Sequence, residues 1–282
     1  MSFLDHIAAC NNFSGGGYLP FVVDRTRVGH IGDGFASRLA GYPHVFDMDA
    51  GGVRLSPAPY EELSRTVAEV LADMQDKGLG LPWRGENYPV LTAWGREPFF
   101  EMERAAVRRF GVRAFGVHIN GYVRRSGGGL DMWIGRRSAD RAVCPGMLDN
   151  MVAGGQPAGL GLMENVIKEC GEEAGVPPEL AAAAHAVGAV SYVMETADGV
   201  SPDTMFCYDL ELPDDFVPRN TDGETASFER LPIEEVAGIV ENQFAFKFNC
   251  NLVIIDFLIR HGVLPPEHPD YLTLLRGLRR DA

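Results

Sequence analysis

Three glutamates lie within five consecutive residues of one short amphipathic segment. They are Glu169, Glu172 and Glu173, in a segment that runs from about Leu162 to Ala174. At about 100° per residue, an α-helix over this segment gathers the three carboxylates into one arc, with apolar side chains in another. Mg²⁺ prefers oxygen ligands, and two or three carboxylates on one helical face supply them. A divalent-cation site is therefore one interpretation of the segment, and a solvated acidic face is the other.

The same segment carries two features that lower helix stability. Like charges three or four residues apart destabilise a helix by a few tenths of a kcal/mol per pair. Gly171 lies inside the segment, and a glycine there costs roughly 1 kcal/mol relative to alanine. No nearby lysine is expected to compensate the repulsion. Stability alone does not explain why the sequence keeps both features, which favours a functional reason.

The glycine-rich stretch before the segment extends the pattern. Residues 153–176 read "AGGQPAGLGLMENVIKECGEEAGV" and resemble the Nudix box, G-x5-E-x7-R-E-U-x-E-E-x-G-U, in which U is an aliphatic residue. Gly154 takes the place of the first glycine. The later positions that match are Glu169, Glu172, Glu173, Gly175 and Val176. On this match the sequence is identified as a member of the Nudix hydrolase superfamily.

Two positions depart from the box. Leu160 occupies the first glutamate position, and Lys168 replaces the arginine. The resemblance implies that these two positions brace the loop against the helix as an ion pair in the family. Their joint change therefore predicts that another contact holds the loop, while the three carboxylates of the helix are kept.

The resemblance implies hydrolysis of a diphosphate that is linked to another moiety, with Mg²⁺ or Mn²⁺ as the cofactor. It implies that Glu172 and Glu173 are metal ligands, and that Glu169 is a ligand or a base beside the metal. All three are thus assigned both metal-binding and catalytic roles. A carboxylate further along the chain often assists in the family. Glu224 is the candidate chosen here, and Glu229 is the alternative.

Upstream of the box, "WIGRRSADRAVCPGMLDNMVAGG" is similar to a subgroup pattern shared with isopentenyl-diphosphate isomerases. In that subgroup an arginine and a basic residue four positions later contact diphosphate oxygens. Arg137 and Arg141 match those positions, and the planar guanidinium suits paired contacts to phosphate. Exposed charges at a strand end are the other interpretation. Gly154 and Gly155 are expected to let the backbone approach the substrate or metal.

Several other stretches resemble the thiamine pyrophosphokinase-related Nudix proteins. They include "LPFVVD", "WRGENYPV", "ERAAVRRFGVRAFGVHINGYV" and "PGMLDNMVAGGQPAG". That resemblance implies an additional N-terminal domain and cleavage of thiamine diphosphate or its damaged oxo and oxy analogues to the monophosphate. Three alternatives stay open: a Nudix hydrolase of another nucleoside diphosphate derivative, a non-catalytic diphosphate-binding module, and an isopentenyl-diphosphate isomerase-like enzyme. The isomerase needs a cysteine, and Cys144 stands directly before Pro145 rather than in the expected strand.

The elements that must position these residues follow from hydrophobic periodicity. Helices are predicted over residues 59–78 and 99–110, and strand-like runs joined by "SGGG" follow residue 112. Mixed strands and helices after that point predict a sheet covered on both faces. The predicted class is α/β: a Nudix α/β/α sandwich over residues 111–282, with an added N-terminal α+β domain over residues 1–110.

Aromatic residues in or near the N-terminal part could stack on a heterocycle of the substrate, although such residues more often form core. These residues are Trp83, Tyr88, Trp94 and Tyr122. His118 interrupts a strand-like run and is expected to be a structural histidine with a hydrogen-bond partner, rather than a substrate contact.

The composition excludes some classes of partner. The 282 residues carry 25 Lys and Arg against 39 Asp and Glu, a formal net charge of −14, which disfavours binding to nucleic acid. The five cysteines form no C-x-x-C pair, as expected of reduced thiols in a cytoplasmic protein. No secretory signal or membrane-spanning run is evident. The expected partner is a small diphosphate substrate, and neither nucleic acid nor a membrane is expected as a partner. The oligomeric state is open, with a homodimer as one option.

Overall fold

The computed structural model describes residues 1–49, 51–78 and 80–280. The described residues of the first part of the chain form four helices, six strands and one 3-10 turn. Their bounds are α1 Phe3–Cys10, β1 Tyr18–Val23, β2 Thr26–Gly32, α2 Asp33–Leu39, β3 Phe46–Asp49, β4 Gly52–Leu55, α3 Tyr60–Asp76, β5 Asn87–Val90, β6 Phe100–Glu103, the 3-10 turn Arg104–Ala106 and α4 Val107–Phe110.

The second part alternates strands and helices. Their bounds are β7 Ala114–Arg124, β8 Leu130–Arg137, β9 Leu148–Asp149, β10 Val152–Gly155, α5 Leu162–Ala174, α6 Pro178–Ala181, β11 His185–Thr196, β12 Gly199–Glu211, β13 Thr225–Pro232, α7 Ile233–Asn242, α8 Phe248–Arg260 and α9 Tyr271–Gly277. The hairpin turn predicted at "SGGG" joins β7 and β8, as expected.

A four-stranded sheet organises the first part of the chain, in the order β2-β1-β4-β3. The apolar residues of α3 repeat every three or four positions, so they fall on one face of the helix and pack into the same core as the sheet. These residues are Leu63, Val67, Val70, Leu71 and Met74. The helix predicted over residues 59–78 is therefore confirmed as α3.

The helix predicted over residues 99–110 is wrong for its first half. Residues Phe100–Glu103 form β6, which pairs antiparallel with β5, and helix resumes only after the 3-10 turn. The reason is the alternation of side chains: Phe100 and Met102 are buried, and Glu101 between them is only half-buried. A period of two residues buries one face of a strand. That period decides the local structure in spite of the helix-forming residues that follow.

A seven-stranded mixed sheet organises the second part. Five strands lie in the order β11-β12-β7-β8-β13, while β10 pairs with β7 and β9 pairs with β8. Alternate residues of the central strands pack on opposite faces. Tyr122 and Met132 share a core with residues of α1, α7, α8 and α9, whereas Ile119 and Trp133 share a core with residues of α5 and α6. The predicted α/β/α layering is thereby confirmed.

The first helix belongs to the core of the second part. Phe3 and Cys10 of α1 pack into the cluster built on α8, and the His6 ring lies 2.6 Å from the Val240 carbonyl oxygen of α7. The chain therefore starts in the core of the second part, with α1, and forms the four-stranded sheet only after that helix. The division into domains at residues 1–110 and 111–282 stays a prediction.

Within the ranges that the structure describes, no helix is long and apolar enough to cross a membrane. The five cysteines are free thiols, and four of them are buried: Cys10, Cys170, Cys207 and Cys250. The predicted cytoplasmic location stays a prediction.

Candidate active site

Helix α5 carries the three glutamates and spans Leu162–Ala174, as predicted. Its first turn is closed by Glu164, whose carboxylate accepts the Gly161 N–H at 3.0 Å. Its last turn ends at Gly175, which adopts the left-handed conformation at φ 62°, where glycine has no steric penalty. Both ends are therefore specified by local sequence.

Two of the three carboxylates are buried. Glu169 and Glu173 are each 9% exposed, whereas Glu172 is exposed. The Glu173 carboxylate accepts the backbone N–H of Ala153, in β10, at 2.8 Å. The alternative of a solvated acidic face is therefore wrong for Glu169 and Glu173, which pack against β10, and holds only for Glu172.

Burial controls the protonation of these groups. It raises the pKa of Glu169, an effect that the adjacent Lys168 ammonium partly offsets. Burial also raises the pKa of Glu173 well above its usual value, and the carboxylates of Asp149, Glu169 and Glu224 raise it further. A buried, negatively charged cluster of this kind is stabilised by a bound cation, which favours the ionised forms.

Lys168 lies between two of the glutamates. Its Nζ is 3.0 Å from Glu169 Oε1 and 2.8 Å from Glu172 Oε2. Burial lowers the pKa of this ammonium, but the two carboxylates outweigh that effect and raise it. The expectation that no lysine compensates the repulsion is therefore wrong. The residue that replaces the arginine of the box supplies the missing positive charge.

The two glycines before the box loop are required by close packing. Gly154 and Gly155 form the end of β10, rather than a loop. A Cβ at Gly154 would overlap the Glu169 carboxyl group, and a Cβ at Gly155 would overlap the Tyr88 hydroxyl. Both glycines thus make room for side chains of this protein, and the expected approach of the backbone to a substrate or metal stays a prediction.

An amide network braces the loop in place of the family's ion pair. Asn165 Nδ2 donates to the Gly155 carbonyl at 2.8 Å and to Gln156 Oε1 at 3.1 Å. Gln156 Nε2 donates in turn to the Leu160 carbonyl at 2.6 Å. Both amide side chains are almost fully buried. The Leu160 carbonyl therefore accepts a hydrogen bond that holds the loop, although the leucine side chain cannot form the ion pair of the family's glutamate.

Arg137 lies inside the protein, at the end of β8. Its side chain is 10% exposed and its Nη1 pairs with Asp149 Oδ2 at 2.6 Å. The other guanidinium nitrogens donate to the carbonyls of Val143 and Cys144. Asp149 also lies 3.8 Å from Lys247 Nζ, and these two cations lower its pKa in spite of burial. Direct contact of Arg137 with a substrate stays a prediction.

Arg141 and Glu224 form an ion pair with each other. The Ser138 N–H donates to the Glu224 carbonyl at 2.9 Å, which joins the start of β13 to the segment after β8. The Thr221 hydroxyl donates to the Gly171 carbonyl at 3.1 Å, so the same loop is attached to α5. Glu224 is therefore connected to the carboxylate helix, whereas the alternative residue Glu229 is exposed in the middle of β13.

Two residues of the first part of the chain reach this site. Tyr88 packs its hydroxyl on Gly155, and the Arg104 guanidinium carbon lies 5.4 Å from the Tyr88 ring centroid. The sequence indicated Tyr88 as a stacking or core residue, and it did not indicate Arg104 as part of this site. No sequence signal indicated Arg104, because its approach to the site depends on a tertiary contact between β5 and the box loop. In that contact the Ala158 N–H donates to the Asn87 carbonyl at 2.9 Å.

The remaining aromatic candidates divide between surface and core. Trp83 and Trp94 are 44% and 42% exposed, whereas Tyr88 and Tyr122 are buried. His118 is buried with its Nδ1 2.8 Å from Asn150 Oδ1, in agreement with the expected structural role.

A cavity of about 530 Å³ lies away from the carboxylates. It is lined by residues of α3 and of the segments beside β3 and β4, among them Tyr42, Leu55 and Val70. Because it contains none of the predicted site residues, the chemistry of α5 gives it no role.

The chain is 43% identical over 290 residues to Nudix hydrolase 20, chloroplastic, of Arabidopsis thaliana, a match that covers 98% of this chain and 77% of that protein. The chain belongs to the Nudix hydrolase family. Nudix hydrolase 24, chloroplastic, of the same plant is also 43% identical, over 283 residues, with the same coverage. The prediction of a hydrolase that acts on acid anhydrides in phosphorus-containing compounds is thereby confirmed.

Other comparisons describe parts of this Nudix hydrolase. A family model described as "Domain of unknown function (DUF4743)" matches residues 2–114. The solved structure of DR0079 from Deinococcus radiodurans gives a TM-score of 0.44 at 24% identity and covers 61% of this chain and 98% of that chain. The Nudix domain of Shewanella oneidensis NrtR, complexed with ADP ribose, gives a TM-score of 0.43 at 15% identity. That match covers 57% of this chain and 99% of that chain. The family assignment rests on the two plant relatives.

Nudix hydrolases generally use divalent metals, and the donor set on α5 fits such an ion. Glu169 and Glu173 are buried carboxylates, and the glycine at position 154 leaves space for one of them. Carboxylate oxygens are the ligands of hard divalent cations. Within residues 1–49, 51–78 and 80–280, no three acidic, histidine or cysteine side chains already converge as ligands. Instead, the Lys168 ammonium lies between Glu169 and Glu172, where it provides positive charge.

Proposed function

We propose that this Nudix hydrolase cleaves the diphosphate of a small organic diphosphate with the help of Mg²⁺ or Mn²⁺, and that the substrate is thiamine diphosphate or its damaged oxo and oxy analogues. The observation that carries the reaction is the burial of Glu169 and Glu173 against β10, with Glu172 beside them. The substrate rests on the resemblance of several stretches to the thiamine pyrophosphokinase-related Nudix proteins.

Glu169, Glu172 and Glu173 would hold the metal. When bound, the ion would neutralise the diphosphate, orient it and lower the pKa of the attacking water. Glu173 is held in place by the Ala153 N–H, and Glu169 by the packing of its carboxyl group on Gly154. These contacts fix the carboxylates before a ligand binds, which reduces the cost of ordering them.

Glu224 is the proposed assisting carboxylate. It is 41% exposed on its side chain and pairs with Arg141, so it can exchange this partner for a substrate or a water. Burial raises the pKa of Glu169, and a raised pKa makes a carboxylate a stronger base. Either residue can therefore take the proton from the attacking water, and Arg141 can contact the diphosphate when Glu224 turns away.

The test is a substrate panel. The purified protein is given Mg²⁺ or Mn²⁺ and thiamine diphosphate, its oxo and oxy analogues, nucleoside diphosphate sugars, NADH or nucleoside triphosphates, and the compounds are ranked by kcat/KM. We expect the thiamine analogues to rank first. A different first-ranked compound would remove thiamine from the proposal. No turnover of any compound would contradict the enzyme proposal itself.

A further inference from the structure

Arg104 stands beside the glycine-rich end of β10. Its guanidinium carbon would lie 3.4 Å from a Cβ built on Gly155, and it lies over the Tyr88 ring at 5.4 Å from the centroid. The residue opens the 3-10 turn after β6. A side chain from the first part of the chain therefore reaches the backbone that precedes the box loop.

The charges around Arg104 are those of the candidate active site. Burial would lower the pKa of its guanidinium, but Tyr88 and the carboxylates of Glu86 and Glu169 raise it. Glu86 in turn raises the pKa of Glu169. The geometry agrees: a Cβ built on Gly154 would meet the Glu169 carboxyl group, and one built on the next residue, Gly155, would lie 3.4 Å from the Arg104 guanidinium carbon. The cation and this carboxylate of α5 therefore lie near adjacent backbone positions of β10.

The two arginines that the sequence indicated also have carboxylate partners, and their own side chains are less exposed than that of Arg104. Arg137 is 10% exposed on its side chain and paired with Asp149, and Arg141 is paired with Glu224. Arg104 is 44% exposed and its Nη1 contacts Glu86 Oε2 at 2.9 Å. A guanidinium carries five N–H donors in a planar fork, and this exposed one has the greater freedom to take an anionic ligand.

The backbone around Arg104 is fixed by a buried carboxylate. Glu103 is 3% exposed, and its side chain accepts the N–H groups of Arg84, Gly85 and Ala105 at 2.9, 3.0 and 3.1 Å. The Arg104 N–H donates to the Glu86 carbonyl at 2.8 Å. The backbone that carries the guanidinium is thus already ordered, so only the side chain has to be ordered when a ligand binds.

We propose that Arg104 is a substrate-binding residue that exchanges Glu86 for an oxygen of the substrate's diphosphate. The inference rests on the proposed function, because it takes the diphosphate to lie next to the α5 carboxylates. Guanidinium contacts to phosphate are charge-assisted and stronger than neutral hydrogen bonds. Glu86 is then a competitor of the substrate, and the first part of the chain completes the site instead of only flanking it.

The test compares Arg104→Ala with Glu86→Gln. Arg104→Ala should weaken the binding of inorganic pyrophosphate, measured by isothermal titration calorimetry, by about 10-fold or more, and should raise KM similarly. Glu86→Gln should tighten pyrophosphate binding by a few-fold, since an exposed ion pair is worth about 0.2–1 kcal/mol. Arg65→Ala is the matched control, because Arg65 forms an exposed pair with Glu69 at 2.9 Å on α3, and it should change neither quantity.

Opposite signs for the two variants distinguish a ligand contact from a structural ion pair. Unchanged binding in Arg104→Ala, or weaker binding in both variants, overturns the inference, provided that thermal melting shows both to be folded. Calorimetry with pyrophosphate needs no turnover. Wild-type protein that binds pyrophosphate through Arg104 but hydrolyses none of the panel would contradict the proposed function and leave this inference standing.

Discussion

The Glu173 carboxylate accepts the backbone N–H of Ala153 at 2.8 Å, which ties helix α5 to the edge strand β10. The N–H is an outward-facing donor of that strand, and without a partner it would be a buried, unsatisfied group. The same carboxylate is thus a structural acceptor and a candidate metal ligand. These two roles can be separated by a substitution that removes the charge and keeps an acceptor oxygen.

Glu173→Gln should remove activity and keep the fold. Glutamine still offers an oxygen to the Ala153 N–H, while the loss of a buried charge removes a desolvation cost. We expect kcat/KM to fall by more than about 100-fold. Substitution of a residue that only hydrogen-bonds to a metal ligand already lowers metal affinity or activity by about 10- to 100-fold. The thermal midpoint should stay equal or rise. Glu179→Gln, an exposed glutamate on α6, makes the same charge change and should alter neither.

Lys168→Gln should lower the metal concentration that gives half-maximal activity. The ammonium contacts Glu169 and Glu172, so it repels a divalent cation that approaches the same oxygens. Stability should fall by only about 0.5 kcal/mol, because the pair is partly exposed. Lys77 forms a comparable pair with Asp73 four residues away on α3. Lys77→Gln should leave the metal dependence unchanged, and a higher metal requirement in Lys168→Gln would contradict the prediction.

Asn165→Ala should destabilise the protein through the box loop. The substitution leaves the Gly155 carbonyl and Gln156 Oε1 without their donor, and unsatisfied buried acceptors cost about 1–3 kcal/mol each. Denaturant unfolding should show a loss of about 2 kcal/mol or more. Asn242 makes one exposed bond to the Gly238 carbonyl, so Asn242→Ala should cost much less. Equal losses in the two variants would mean that the amide network does not brace the loop.

The sequence predicts helix α5 of this site but neither the amide network that braces the loop nor the position of Arg104, and the reasons are physical. Helix α5 is local: its apolar spacing and the glycine after it specify its bounds, and these are correct. The brace is not local, because Asn165 and Gln156 resemble any loop amides until burial turns them into partners. Arg104 was predicted inside a helix, and it comes near Gly155 only because β6 pairs with β5. Long-range pairing of this kind leaves no periodic signal in the sequence.

Two glycine substitutions at α5 and β10 should differ in effect: Gly154→Ala should lower activity, and Gly171→Ala should raise stability. A Cβ at Gly154 would overlap the Glu169 carboxyl group, whereas one at Gly171 would meet only the Val176 carbonyl oxygen, at 4.0 Å. Gly171→Ala should therefore stabilise α5 by about 0.5–1 kcal/mol without loss of kcat/KM. Gly154→Ala should displace Glu169 and lower kcat/KM. Both are checked by denaturant unfolding and by activity on the best substrate, and full activity in Gly154→Ala would contradict the assignment of Glu169.

His118 should make stability depend on pH below neutrality. Burial, together with the charge of Lys247, lowers the pKa of His118 from 6.5 to about 4. Its Nδ1 lies against Asn150 Oδ1, and the Asn150 amide nitrogen donates to Asn120 Oδ1 at 3.1 Å, so the network assigns the histidine proton to Nδ1. The folded protein therefore holds the ring neutral, while the unfolded chain binds a second proton as the pH falls through 6.5.

The sign of the effect follows from this difference in proton binding. Between about pH 6.5 and pH 4 the unfolded state binds more protons, so the free energy of unfolding falls as the pH falls, by at most about 3 kcal/mol from this group. His118→Gln keeps a donor for Asn150 and should flatten the curve of stability against pH in that window. His44→Gln, at an exposed histidine, should leave the curve as in the wild type. The same curve in wild type and His118→Gln would show that His118 becomes protonated in the folded state without cost.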